Sequence, residues 1–176
     1  MKRSPFIHAF YESRHSKLYE VILGVCWSFG LLLGFAYGTN ANPLHFQLMR
    51  VAAFEHTSII GLVIVLYIPL LLSALAVNYM CPQMLLLICF VKAFLFAACS
   101  GVIAAEFGSS GWLIRFLLQF SDCCAVPLLY LFSIRNISVQ KSGIQFDFLL
   151  SSIVLLIVGC VDYFVISPFL VRLINI

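Results

Sequence analysis

Residues 83–134 read QMLLLICFVKAFLFAACSGVIAAEFGSSGWLIRFLLQFSDCCAVPLLYLFSI, two apolar arms joined by Gly108-Ser109-Ser110-Gly111. Each arm approaches the roughly 20 apolar residues that a helix needs to cross a bilayer. The first arm has a small residue at every fourth position, namely Ala93, Ala97, Gly101 and Ala105. On a helix these residues form one stripe, which another backbone can approach closely. This stretch therefore predicts a transmembrane helical hairpin.

Ionisable side chains interrupt both arms. Lys92 lies near the middle of the first arm and Asp122 near the middle of the second. Opposite charges at similar depth predict an ion pair, because an unpaired charge at the centre of a spanning helix costs about 2.5–3.5 kcal/mol. Asp162, in the last apolar segment, is a second carboxylate that Lys92 could serve. Arg115, Gln119 and Asp122 follow one another at i, i+4 and i+7, which predicts a polar face on the second arm.

The composition of the whole chain indicates an integral membrane protein. Of its 176 residues, 63% are hydrophobic and 10% are charged. A soluble domain is nearer to about 45–50% apolar and about 25% charged. The formal charge of +3 comes from basic residues that mostly flank apolar segments, which argues against nucleic-acid binding. The seven cysteines form no C-x-x-C and have no suitably spaced histidines, so neither a metal site nor a cofactor is predicted.

The apolar segments predict an all-α fold, a polytopic helical membrane bundle of about five transmembrane helices in one domain, 1–176. The predicted spans are about 21–37, 58–77, 83–105, 112–132 and 148–170. Pro69 and Pro127 fall inside the second and fourth spans and predict kinks. A bilayer tolerates such prolines when neighbouring groups satisfy the freed carbonyl.

Two segments outside the spans have patterns of their own. Residues 1–20 form a basic leader with interleaved aromatic residues, which fits either a short interfacial helix or a frayed tail. The apolar run that follows exceeds the roughly 7–15 residues of a signal peptide, which favours an uncleaved anchor helix. In residues 40–56, apolar side chains recur at helical spacing and predict an external helix in the interface plane.

The first span contains Gly30, Gly34 and Gly38, a double G-x-x-x-G that permits close helix–helix contact. Packing inside the same bundle is the favoured interpretation, and a contact face for another membrane protein is the alternative.

The basic residues orient the bundle. A cytoplasmic N-terminus leaves two loop or tail arginines outside, Arg50 and Arg172, and places the following residues inside: Lys2, Arg3, Arg14, Lys17, Arg135 and Lys141. The positive-inside rule favours this orientation. With five spans the C-terminus is then expected outside.

Two roles are open for the cluster of Lys92, Asp122 and Asp162. The three side chains either hold neighbouring helices together or line a path for a proton, an ion or a polar solute. The chain has no G-x-S-x-G, no H-E-x-x-H and no glycine-rich phosphate loop, so enzymatic activity is not expected.

The hairpin and its flanks also contain a set of residues that together resemble a known family: Pro82, Phe90-Val91-Lys92-Ala93, Ala97, Gly101, Phe107-Gly108, Gly111 and Pro127. In these residues the hairpin resembles the core of the stage II sporulation protein M family of bacterial membrane proteins. A fainter similarity lies in the leader, at Ala9-Phe10-Tyr11-Glu12 and 14–19. Many relatives have a Pro-His-Gly…Glu-x-Pro pattern in the returning helix, of which residues 120–127 keep only the final proline.

The resemblance implies a multi-pass protein of the bacterial cytoplasmic membrane, without enzymatic activity. Its expected role is that of a scaffold that anchors peptidoglycan-remodelling machinery during engulfment in sporulation. The expected partners are the lipid bilayer and other membrane or cell-wall-remodelling proteins, reached through the glycine face and residues 40–56. The alternative is a small-solute permease, or a membrane subunit of a transporter, with Lys92, Asp122 and Asp162 at its site.

Overall fold

The computed structural model describes residues 5–40, 59–78, 82–108, 116–117, 119–138 and 144–169. These residues form helices and contain no strand, which confirms the all-α prediction for the described part of the chain. The five long helices are α1 Pro5–Thr39, α2 Ile59–Asn78, α3 Pro82–Phe107, α4 Phe120–Ser138 and α5 Ile144–Val161. A π-helical segment, Asp162–Ile166, continues α5.

The leader does not form a separate element. Its residues from Pro5 onward belong to α1, a single helix of 35 residues. At the other end of α1, Thr39 Oγ1 and Asn40 Nδ2 both donate hydrogen bonds to the carbonyl of Ala36. These bonds satisfy a carbonyl that has no partner inside the helix. The predicted interfacial helix of residues 40–56 lies, apart from Asn40, outside the described residues.

Within the described part of the chain, three helices, rather than the predicted five, are by themselves long and apolar enough to cross a membrane. They are Lys17–Thr39 in α1, Gln83–Glu106 in α3, and Gln145–Phe169, which comprises α5 and its continuation. The helix α4 does not qualify because polar side chains such as Asp122, Arg135 and Asn136 interrupt its apolar sequence. In α2, the apolar helical part with described side chains is Leu66–Val77.

The helix α4 ends later than the predicted fourth span, at Ser138 rather than near 132. Residues 116–117, before its start at Phe120, are also helical, and 112–115 lie outside the described residues. In these added residues, Ser133 Oγ and Asn136 Nδ2 donate to the carbonyls four residues earlier. Such bonds let a buried serine or asparagine stay inside a helix. The predicted polar connection between residues 133 and 147 is therefore mostly helical.

In the described part of the chain, α1 and α2 pack against both α3 and α4, and α5 packs against α4. Half of the spanning part of α3 is buried, 50% against 22% in each of the spans of α1 and α5. The buried core combines side chains from all five helices, among them Leu23, Leu70, Cys89, Leu129 and Leu155. The outward sides of α1 and α5 expose large apolar side chains such as Val25, Leu32, Leu156 and Phe164.

The closest contact between helices joins α1 to α3. Glycines 30, 34 and 38 of α1 meet the carbonyls of Phe90, Phe94 and Ala98 in the same chain order, so the two helices are parallel. A Cβ atom at Gly30 would lie 2.8 Å from the Phe90 oxygen, and one at Gly34 or Gly38 would lie closer to its carbonyl. Ordinary contacts of a Cβ begin near 3.4 Å. Only glycine permits this approach.

The small-residue stripe of α3 is the other half of this contact. Ala93, Ala97 and Gly101 are buried, whereas Ala105 is exposed and lies beyond it. In the structure the glycine face of α1 therefore packs against α3 of the same chain. This is the packing that the favoured interpretation predicts, and a contact with another membrane protein stays a prediction.

The two predicted kink positions lie inside continuous helices. Pro69 falls within α2 and Pro127 within α4, and both helices continue on either side of the proline.

Candidate functional site

The candidate site is built on an ion pair between α3 and α4. Lys92 Nζ lies 2.6 Å from Asp122 Oδ1, and the two side chains are 12% and 31% exposed. This is the pairing that the sequence predicted. Lys92 is near the middle of α3, but Asp122 is in the first turn of α4 rather than mid-helix. At that position the helix N-terminus also favours a carboxylate.

Asp162 joins the cluster through α4 and not through the lysine. It is 8% exposed and begins the π-helical segment that follows α5. The side chain of Ser121, in the first turn of α4, lies beside it. Of the two carboxylates that Lys92 could serve, the structure therefore pairs it with Asp122 among the described residues.

Gln119 anchors the start of α4 to α3. Its Oε1 accepts a hydrogen bond of 2.5 Å from Ser100 Oγ, and its Nε2 donates one of 3.0 Å to the carbonyl of Phe96. The side chain is buried, so these bonds satisfy groups that water does not reach. Arg115, the third member of the predicted polar face, lies outside the described residues.

These contacts belong to a longer polar seam between α3 and α4. Its rungs are Ser100–Gln119, Lys92–Asp122 and Cys89–Ser133, the last with Sγ and Oγ 3.3 Å apart. The positions on α3 fall at helical spacing, and those on α4 run in the opposite order, so the two helices are antiparallel. The sequence prediction missed the serines because a lone serine in an apolar run carries no signal about its partner.

A second ion pair connects α4 to α5, and the sequence did not predict it. Arg135 Nε lies 3.0 Å from Asp147 Oδ2, with the arginine largely exposed and the aspartate buried. The sequence pattern places both residues in a polar connection between spans. The pair is recognisable only when the helices are known to extend over both positions.

A small cavity lies beside Lys92. Its volume is about 10 Å³, enough for about one water molecule. The lining is apolar apart from the lysine and consists of Leu66, Pro69, Leu70, Lys92, Ala125, Leu128, Leu129 and Leu155. The described part of the chain contains no group of three His, Cys, Asp or Glu side chains that could hold a metal ion.

Comparison with known proteins gives no match to a family model, to a curated protein or to a solved structure. The resemblance to the stage II sporulation protein M family thus has no support beyond the quoted residues, and it stays a prediction.

Proposed function

We propose that the chain is a multi-pass integral membrane protein that crosses the bilayer five times, with its N-terminus in the cytoplasm. The three helices that qualify as spans on their own are α1, α3 and α5. The glycine contact supports a parallel arrangement of α1 and α3. Two parallel spans require a return crossing between them, and α2 is the helix that provides it.

The same reasoning applies to α4. Its polar seam supports an antiparallel arrangement with α3, and the contacts Arg135–Asp147 and Ser121–Asp162 support one with α5. In a bilayer the polar groups of α4 are tolerable because most of them face partners in the bundle. A helix that is too polar to be recognised as a membrane span from its composition alone can then still cross the bilayer.

Reporter fusions test this topology. A reporter that is active only outside the cytoplasm is fused after Asn40, Asn78 or Ser138. The proposal predicts activity after Asn40 and none after Asn78 or Ser138. Equal activity after Asn40 and Asn78 would show that α2 does not cross.

In this membrane setting we propose that the chain acts as a non-enzymatic scaffold subunit. The observation that carries the proposal is that the polar groups pair with each other inside the chain. Lys92 pairs with Asp122 and Ser100 with Gln119, and these pairs fix how α3 and α4 face each other. The outward sides of α1 and α5 remain apolar and available for lateral contacts. The family resemblance supplies the expected partners, peptidoglycan-remodelling proteins of the bacterial cytoplasmic membrane.

Site-specific photo-crosslinking tests the scaffold. A photoreactive residue is placed at Leu156, which is exposed on α5, or at the adjacent Leu155, which is 3% exposed. The same comparison is made on α1 with Val25 and the buried Leu23. The scaffold predicts a wall-remodelling enzyme crosslinked from an exposed position but not from its buried neighbour. If the exposed positions of both helices capture only lipid, the proposed scaffold role is contradicted.

The second candidate is a permease or a membrane subunit of a transporter. One specific observation favours it. Asp122 lies in the first turn of α4, and Asp162 begins the π-helical segment that continues α5. Helix irregularities inside spans recur at ion and substrate sites. This candidate predicts solute uptake by proteoliposomes that is lost in Lys92→Met and kept in Arg135→Gln. Uptake at the wild-type level in Lys92→Met would show that Lys92 does not belong to a transport site.

A further inference from the structure

The cavity beside Lys92 brings a buried ammonium group close to a proline inside a helix. Among the described residues that line it, Lys92 has the only polar side chain. An ammonium group has three N–H donors, and the contact of 2.6 Å with Asp122 Oδ1 uses one of them. Because the lysine side chain is only 12% exposed, the other donors need acceptors inside the bundle.

Pro69 provides a backbone acceptor on the α2 side of the cavity. Proline has no N–H, so the carbonyl of Val65, four residues earlier in α2, lacks the donor that residue 69 supplies in an ordinary helix. A helical carbonyl points towards the residue four positions later, and the Pro69 side chain lines the cavity. Pro127, in α4, is instead exposed and does not belong to this lining.

The size of the cavity selects what can join these two groups. It has room for about one water molecule and not for a hydrated cation or an organic solute. Water both accepts and donates hydrogen bonds, whereas an ammonium group only donates and a carbonyl only accepts. A buried water needs about two to four polar partners, and Lys92 and Val65 supply two of opposite kind.

We propose that this cavity binds one structural water, which accepts a hydrogen bond from Lys92 Nζ and donates one to the carbonyl of Val65. The water gives that carbonyl a donor, as a proline inside a membrane span requires. It also connects α2 to the ion pair, so that α2, α3 and α4 meet at Lys92. The site depends on the cavity and on Pro69, and not on the partners of the proposed scaffold.

Water-edited solid-state NMR of the full chain in lipid tests the site. With ¹³C at the valine carbonyls and ¹⁵N at the leucines, the spectrum selects two peptide bonds, Val65–Leu66 and Val154–Leu155. Val154 is the internal reference, because its carbonyl has a helical donor in α5. The proposal predicts rapid magnetisation transfer from water to Val65 and little to Val154. No transfer to Val65, or equal transfer to both, overturns it.

A variant that fills the cavity makes the test specific. Ala125 is buried in the lining, and Ala125→Val adds methyl groups where the water would lie. The transfer to Val65 should be lost in this variant and kept in Ala105→Val, which lies on the exposed end of α3. A persistent Lys92–Asp122 correlation shows that Ala125→Val is folded. Unchanged transfer in Ala125→Val contradicts the site.

A second variant keeps the test independent of folding in Ala125→Val. Lys92→Met combined with Asp122→Leu leaves the described lining apolar, and an apolar cavity stays dry. The transfer to Val65 should therefore be lost here too. If it persists, Lys92 does not hold the water and the proposed site is wrong.

Discussion

Gly101→Ala should loosen the contact between α1 and α3. A Cβ atom at this position would lie 2.6 Å from the carbonyl oxygen of Phe35, 2.9 Å from the Thr39 nitrogen and 3.0 Å from the Gly38 Cα. All three are backbone atoms, so no side-chain rotation relieves the clash. To reach an ordinary 3.4 Å contact, the helices must separate by several tenths of an ångström along their whole interface.

The expected cost follows from two opposing effects. Overpacking a close contact costs about 1–3 kcal/mol, and backbone neighbours place this site at the upper end. Alanine favours a helix over glycine by up to about 1 kcal/mol. The net destabilisation should therefore be about 2 kcal/mol, or roughly 30-fold in the folding equilibrium.

Unfolding in mixed detergent micelles, followed by tryptophan fluorescence, measures this difference. Gly24→Ala is the matched control, because its new Cβ would meet only the end of the Tyr130 side chain, at 3.1 Å. That variant gains the same helix propensity and should be neutral or slightly more stable. If Gly101→Ala were as stable as Gly24→Ala, the close parallel contact between α1 and α3 would be wrong.

Three further changes test the polar contacts by the same unfolding assay. Lys92→Met should destabilise by about 3–5 kcal/mol because it leaves Asp122 unpaired, and combining it with Asp122→Leu should recover most of that loss; no recovery would show that the two residues are not coupled. Arg135→Gln should cost about 1–3 kcal/mol, because the buried Asp147 loses the charge of its partner, and an unchanged stability would mean that this ion pair contributes nothing. Ser100→Ala should cost about 1–2 kcal/mol, because the buried Gln119 loses its donor; an unchanged stability would mean that this rung does not form.

The sequence predicted the features that depend on type and spacing. Lysine and aspartate are rare in apolar helices and expensive when alone, so the sequence by itself marks Lys92 and Asp122 as partners. The glycine face is equally visible, because small residues at every fourth position serve close packing. Both predictions use rules that hold whichever helices are neighbours.

The features that the sequence did not predict depend on where helices end and which faces meet. The span that begins near 112 in the sequence prediction ends near 132, yet α4 continues to Ser138. Hydrophobicity does not mark that end, because Arg135 and Asn136 are polar and still helical. Lys92 could have served Asp122, Asp162 or both, and the structure pairs it with Asp122 among the described residues. That choice depends on how the helices pack, which the spacing of charges does not fix. Asp147 has the pattern of a loop residue, and only its pairing with Arg135 identifies it as part of the bundle.

The central claim is that Lys92 and Asp122 form a direct ion pair between α3 and α4 within the bilayer. Solid-state NMR on the protein in lipid, with ¹⁵N at the lysine Nζ and ¹³C at the aspartate Cγ, measures this contact. Lys92→Met and Asp122→Asn assign the signal. The account predicts a strong Nζ–Cγ correlation, as expected for an Nζ–Oδ1 distance of 2.6 Å, that disappears in either variant. A spectrum in which no lysine–aspartate correlation depends on both residues would contradict it.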